Sequence, residues 1–375
     1  MNIDEIILYK VQMKMKTPFT TSFGTEHNRF FLLVEAKNKE GLSGWGECVT
    51  SERPLYSEEF TQSSWLMLEK FLIPLVLENS LDHPDDLQEI FDLYKLNNMA
   101  KSALEGAVWD LYAKSKGISL AKALGGNKST VDVGISLGIE SKSENLLNLI
   151  AEKKEEGYKR IKVKIMPGKD IEVLSQIRNK FPHIPLMVDA NNAYSLEDMK
   201  TLKEMDKFDL MMIEQPLTAG DLVDHAKLQE ELETPICLDE SIHSLENARQ
   251  AIELVSCGII NMKIGRVGGL TNAKKIHDLC ENENIPLWCG GMLESGIGRA
   301  HNIAITSLSN FKLPGDTASS ARYWENDIIE PEVVAENGRV DVPNGPGIGF
   351  DVNKNEIEKH TLERKVFKQN SKKVG

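Results

Sequence analysis

Between Arg160 and Lys263 the apolar and polar positions of the chain fall into a repeat. Five short apolar runs each close on a charged residue: RIKVK at Lys164, PLMVD at Asp189, LMMIE at Glu214, PICLD at Asp239 and GIINMK at Lys263. The closing residues stand 25, 25, 25 and 24 apart (189 − 164, 214 − 189, 239 − 214 and 263 − 239). That step fits one strand, one helix and two short loops. Parallel strands need such helical crossovers and are covered on both faces, so they read as apolar runs. Further strands are expected near 131–139, 286–289 and, more weakly, 311–315, with helices such as 142–156 and 170–181 between strands. In an α/β barrel the carboxyl ends of all strands share one rim, where catalytic side chains sit. Each run therefore delivers one charge to the same mouth.

The first part of the chain has a different pattern. Strand-like runs over 3–13 and 29–37 flank MKTPFTTSFGT, which Pro18 and Gly24 mark as a mobile loop. KEGLSGWGECV supplies a third strand of an antiparallel meander, and SERPLYSEE a second loop carrying Pro54, Leu55 and Tyr56. Pro84 is placed to open a helix, followed at helical spacing by Leu87, Ile90, Phe91 and Tyr94. Residues 101–116 show the pairs Ala103/Leu104, Ala107/Val108 and Leu111/Tyr112, one face of an amphipathic helix that Gly117 ends. Strands followed by helices make an α+β unit, expected over 1–128, with the barrel over 129–325. The turn-rich GRVDVPNGPGIGFDV lies in a terminal segment, 326–375, expected to return to the first unit.

Composition narrows the class. The chain has 375 residues and a formal net charge of 44 − 57 = −13, which argues against a general nucleic-acid surface. Its five cysteines (Cys48, Cys237, Cys257, Cys280, Cys289) have no C-x-x-C spacing, as expected of reduced, buried thiols. MNIDEIILYK lacks a basic export region, and no apolar run is long enough for a bilayer. A cytoplasmic enzyme is expected. The expected partners are a small-molecule carboxylate substrate and other copies of the chain in a homo-oligomer, without nucleic acid or membrane.

Asp189, Glu214 and Asp239 end three successive strands, so their carboxylates converge on the barrel mouth. An all-oxygen site of this kind favours Mg²⁺ or Mn²⁺ over zinc. One such acid alone would as readily cap the following helix. Three in register, bracketed by lysines in register, point to a metal site. Lys162 and Lys164 share one strand face and point inward, where ammonium groups are costly unless paired or functional. A second cation beside Lys164 would lower its pKa toward that of a general base. Lys263 stands across the mouth, and Arg266, three residues on, would depress its pKa; an ordinary loop arginine is the plain alternative. A lysine base beside Mg²⁺ is the enolase-superfamily pattern for removing a proton next to a carboxylate.

With these motifs the chain resembles the muconate-lactonising subgroup of the enolase superfamily over nearly its whole length. Within it, KIGRVGG and WCGGMLESGIGRAHN are most similar to the o-succinylbenzoate synthase/N-succinylamino acid racemase family. The resemblance implies an α+β capping domain, built from the N-terminal region and the C-terminal segment, on a modified (β/α)₇β TIM barrel. It implies Asp189, Glu214 and Asp239 as ligands of Mg²⁺ or Mn²⁺, Lys164 and Lys263 as acid/base lysines, and Lys162 as an auxiliary lysine. A synthase would dehydrate 2-succinyl-6-hydroxy-2,4-cyclohexadiene-1-carboxylate to 2-succinylbenzoate through an enediolate, in menaquinone biosynthesis. A racemase would exchange a proton of an N-acylamino acid between the two lysines, and Arg266 is associated with racemase-capable members. Strand 7 ends in WCGG without a histidine, and Asp316-Thr317-Ala318 is not the D-x-D of dipeptide epimerases. Muconate-type cycloisomerisation, a lyase or hydrolase barrel and a non-catalytic binding protein stay open beside these.

Pocket residues are nominated by position. Ser136 and Asn191 could hydrogen-bond substrate, though asparagine is also a turn former. Backbone N–H groups of Gly290, Gly291 and Met292 could hold a succinyl carboxylate, though glycine equally serves a tight turn. The capping loops 17–25 and 51–56 offer Phe19, Phe23, Leu55 and Tyr56 to a ring or apolar group. Packing between the two domains is the alternative use of these side chains.

Overall fold

The computed structural model of the chain describes residues 2–21, 24–140 and 142–369. Three N-terminal strands, β1 (Glu5–Thr21), β2 (Gly24–Lys37) and β3 (Ser43–Cys48), form the expected meander. The strand Thr361–Lys368 adds to the free side of β1, giving a four-stranded antiparallel sheet. The stretch expected as a mobile loop is instead the tip of the β1–β2 hairpin. Pairing lapses between Lys14 and Phe19 and resumes at Phe19↔Glu26 and Thr20↔Thr25. Pro18 lies within the lapse, since it has no N–H to give a ladder. Phe23 and Ser22 lie outside the described residues.

The helix α1 (Asn98–Ser115) lies against β3 at closest backbone approach. A Cβ at Gly44 would stand 2.1 Å from the Ala107 carbonyl oxygen, and one at Gly46 2.0 Å from that of Ala103. The pairs expected to form a single buried face do pack there, but α1 is buried nearly all round. Its other side meets the barrel, where Trp109 Nε1 donates to Thr271 Oγ1 at 3.1 Å. Its polar residues therefore needed internal partners, and Asp110 has them. Its carboxylate accepts from Trp45 N, Ile348 N and Lys114 Nζ at 2.8, 2.7 and 2.7 Å. The capping sheet, the barrel and the segment around Ile348 thus share one helix.

The barrel sheet has seven parallel strands in sequential order: β4 (Ile135–Leu137), β5 (Ile161–Lys164), β6 (Leu186–Asp189), β7 (Ile213–Glu214), β8 (Ile236–Leu238), β9 (Ile259–Met262) and β10 (Leu287–Cys289). Their side chains are buried on both faces apart from a half-buried Lys164 and Ser136, which accounts for the unalternating runs. The expected eighth strand over 311–315 is reduced to isolated bridges, Phe311 with Leu287 and Gly315 with Val133. Pro314 cannot donate to a ladder, so the ring closes through single bonds such as Gly134 N to Gly315 O at 2.7 Å. Among the described residues no helix is long and apolar enough to cross a membrane.

The contact between β3 and α1 can be tested directly. Gly46→Ala should lower stability by about 1–3 kcal/mol through overpacking. Urea unfolding should show a lower midpoint at unchanged slope. An unchanged midpoint would contradict the close approach.

Candidate active site

The repeat of charges becomes a layer at the barrel mouth because the strands are in register. Lys164 is opposite Asp189, and Asp189 opposite Glu214. Asp239 and Lys263 each follow directly on the ends of β8 and β9. Above them, the capping hairpin and the 51–56 loop roof a cavity of about 360 Å³. Its walls include Lys162, Lys164, Asp189, Asp239 and Lys263.

Every carboxylate in this layer leans on a cation. Lys164 Nζ donates to Asp189 Oδ2 at 2.6 Å and to Asn191 Oδ1 at 2.5 Å. Lys162 Nζ donates to Glu214 Oε2 at 3.0 Å and lies 3.4 Å from Asp189. Lys263 Nζ donates to Asp239 Oδ2 at 2.9 Å, and Arg266 pairs with the other oxygen of Asp239. Burial opposes the charge on Asp239, but Arg266 and Lys263 outweigh it and hold its carboxyl well below the usual range. Glu214 has less help. Burial and the Asp189 charge push it up to about 8. Burial likewise works against the Lys263 ammonium, yet Asp239 holds its pKa well above the usual lysine value. Arg266 does act downward on Lys263, as expected, but Asp239 is the stronger neighbour.

Among the described residues no three acidic, imidazole or thiol groups stand close enough together to enclose an ion as they are now turned. The donor chemistry nonetheless fits a hard divalent cation. Asp189, Glu214 and Asp239 are buried carboxylates on adjacent strands, and burial together with the Asp189 charge raises the Glu214 pKa, both of which a cation would offset. Side-chain rotation away from the lysines would free their oxygens for it.

The nominated pocket residues are distributed as follows. Phe19, Tyr56, Ser136, Asn191, Gly291 and Met292 line the cavity. The Tyr56 hydroxyl is 2.9 Å from Lys263 Nζ, whose ammonium also sits 4.7 Å from the ring centroid. Asn191, at φ 43°, joins Lys164 to Glu240 through its side-chain amide. Gly290 is not placed to hold a substrate carboxylate. Its N–H is committed to Met262 O at 3.0 Å, and a Cβ there would meet Asn261 at 2.5 Å. Ser136 Oγ and Gly291 N instead donate to a residue outside that set, Asp316, at 3.0 and 3.4 Å. Sequence reasoning also passed over Arg29. Its buried guanidinium ties the carbonyls of Val49, Thr50 and Met292 together beneath the hairpin. An arginine opening an otherwise apolar strand (RFFLLV) was the available signal.

Comparison with known proteins places this geometry. Residues 3–125 match the family model for the mandelate racemase/muconate lactonizing enzyme N-terminal domain, and residues 145–357 that for the enolase C-terminal domain-like fold. An o-succinylbenzoate synthase of Geobacillus kaustophilus is 57% identical, over 98% of each chain. An N-succinylamino acid racemase of Thermus thermophilus is 46% identical, over 96% of this chain and 98% of that one. A crystal structure of an enolase-superfamily member from Listeria innocua superimposes with a TM-score of 0.96 at 41% identity, covering 99% of this chain and all (100%) of that one. The chain belongs to the enolase superfamily, in the family that unites o-succinylbenzoate synthases and N-succinylamino acid racemases.

Proposed function

We propose that the chain is an o-succinylbenzoate synthase, converting 2-succinyl-6-hydroxy-2,4-cyclohexadiene-1-carboxylate to 2-succinylbenzoate and water in menaquinone biosynthesis. The observation that carries this reading is the 57% identity to a synthase over 98% of both chains, on a site where two lysines face one cavity. In the roles proposed, Asp189, Glu214 and Asp239 hold Mg²⁺ or Mn²⁺. When bound, the cation supplies positive charge to the substrate carboxylate as the adjacent carbon loses its proton.

The side chains of the barrel do the rest. Lys164 takes the proton from C1 of the ring and is then an ammonium. The same ammonium then gives that proton to the C6 hydroxyl, which leaves as water while the ring becomes aromatic. One residue serving both steps requires the proton and the hydroxyl to leave from one face. Lys263, held as an ammonium by Asp239 and Tyr56, lends positive charge to the opposite face. Phe19 and the Tyr56 ring give the cavity the apolar wall that a ring substrate needs.

Racemisation of N-succinylamino acids is favoured as a second activity by one feature of the same geometry. Lys164 and Lys263 project from β5 and β9, four strands apart in the sheet, into one cavity. In this reading they meet opposite faces of a single carbon, as a two-base proton exchange requires.

The two activities separate by mutation. Lys164→Ala should lower kcat for dehydration and racemisation alike, by about 10²–10⁴-fold. Lys263→Arg keeps a cation but not a base. It should retain measurable dehydration and lose racemisation, both followed with purified substrates. Equal loss of both activities would remove the distinction between the two lysines. Separately, exhaustive EDTA treatment should abolish turnover, and Mg²⁺ or Mn²⁺ should restore it. Full activity in the chelated protein would overturn the metal assignment, and absent dehydration by the metal-loaded native protein would overturn the synthase reading.

A further inference from the structure

Asp316 follows the irregular segment that closes the barrel, and no role has so far been given to it. Its carboxylate is nevertheless the meeting point of four elements. Oδ1 accepts from Arg160 Nη2 at 2.5 Å and from Ser136 Oγ at 3.0 Å. Oδ2 accepts from Gly291 N at 3.4 Å and lies 3.5 Å from Lys162 Nζ. Its own N–H is bonded to Cys289 O at 2.8 Å. Burial opposes the charge, but Lys162 and Arg160 outweigh it and keep the carboxyl far below the usual range. Beneath lies the fully buried Trp288, with the Arg160 guanidinium 4.6 Å and the Lys162 ammonium 4.8 Å from its ring.

Lys162 is the group that makes this arrangement consequential. Its side chain is only 6% exposed, so its charge requires a counter-charge within the protein. Three carboxylates are in reach: Glu214 at 3.0 Å, Asp189 at 3.4 Å and Asp316 at 3.5 Å. The first two are the proposed metal ligands. When their oxygens serve a divalent cation, Lys162 loses most of its pairing and competes with the ion for the same lone pairs. Of the three, Asp316 is the one outside the proposed ligand set.

We propose that Asp316 is a positioning residue for metal loading, the counter-ion that holds Lys162 while Asp189 and Glu214 serve the cation. The Arg160, Ser136 and Gly291 bonds fix Asp316 in place for this, and the Trp288 face prevents Lys162 from withdrawing downward. The proposal rests on the metal reading above, and the test separates the two.

Mn²⁺ binding is measured by calorimetry, without substrate, on the native protein, Asp316→Asn, Lys162→Met and the double variant. Native protein binding about one Mn²⁺ per chain supports the metal reading; failure there sinks both ideas. Asp316→Asn should weaken binding about tenfold or more, whereas in the Lys162→Met background the same change should matter less than about twofold. An equal effect in both backgrounds, or none in either, overturns the proposal alone, because a merely structural ion pair with Arg160 would not depend on Lys162. If Asp316→Asn alone fails to fold, Asp316→Asn/Arg160→Met removes the unpaired guanidinium and carries the same comparison. Weakened binding is again expected only where Lys162 is present.

Discussion

Charge taken out of water has to be answered by opposite charge nearby, and that constraint organises this molecule. Breaking one partner of a buried pair leaves an uncompensated ion at a cost of several kcal/mol. At the barrel mouth, Asp189, Glu214, Asp239 and Asp316 are interleaved with Lys162, Lys164, Lys263, Arg266 and Arg160. No member is placed independently of the others. The strand register sets the order, the apolar exterior of each strand sets the direction, and the lattice of opposite charges sets the rotamers. Each lysine of the layer is a structural counter-ion to a carboxylate of the neighbouring strands.

The cap is joined to this layer by a second group of buried polar contacts. Glu47, from β3, accepts from Ser295 N, Ser295 Oγ and Gly298 N, and so caps the helix Gly296–Thr306 of the barrel. Burial lifts its carboxyl to about 7, with the Glu294 charge adding to the effect and the Ser295 hydroxyl opposing it. Within the cap itself, Glu59 accepts from Met99 N and Ala100 N at the start of α1. The cap is thus fastened through backbone groups that would otherwise be orphans of helix ends.

The barrel strands and the charge layer were legible because both follow from a period. An apolar run closing on a charge every 24 or 25 residues carries its own topology. The limits of legibility are equally physical. The hairpin tip reads as a loop because Pro18 and Gly24 mark turns locally, whereas pairing with the opposite strand is a tertiary gain. The eighth strand was half visible because Pro314 removes the ladder that would have made it regular. Asp316 escaped because it follows no apolar run and was judged only by the missing second acid of a different motif. The sequence offers Gly290 only as a backbone N–H that follows a barrel strand. Its absent side chain in fact makes room for Asn261, a demand from a neighbouring strand that local sequence does not record.

Arg29 links three segments that are distant in the chain: β2, the residues after β3, and the loop after β10. Its guanidinium donates to four main-chain carbonyls, those of Phe30, Val49, Thr50 and Met292, beside the Ser51 hydroxyl and the Glu26 carboxylate 3.9 Å away. Such a fastening is blind to side-chain identity. Residues on either side of it can be exchanged during evolution while the loops keep their path. A new side chain at Val49, Thr50 or Met292 would leave the acceptors of these bonds in place, because they belong to the main chain.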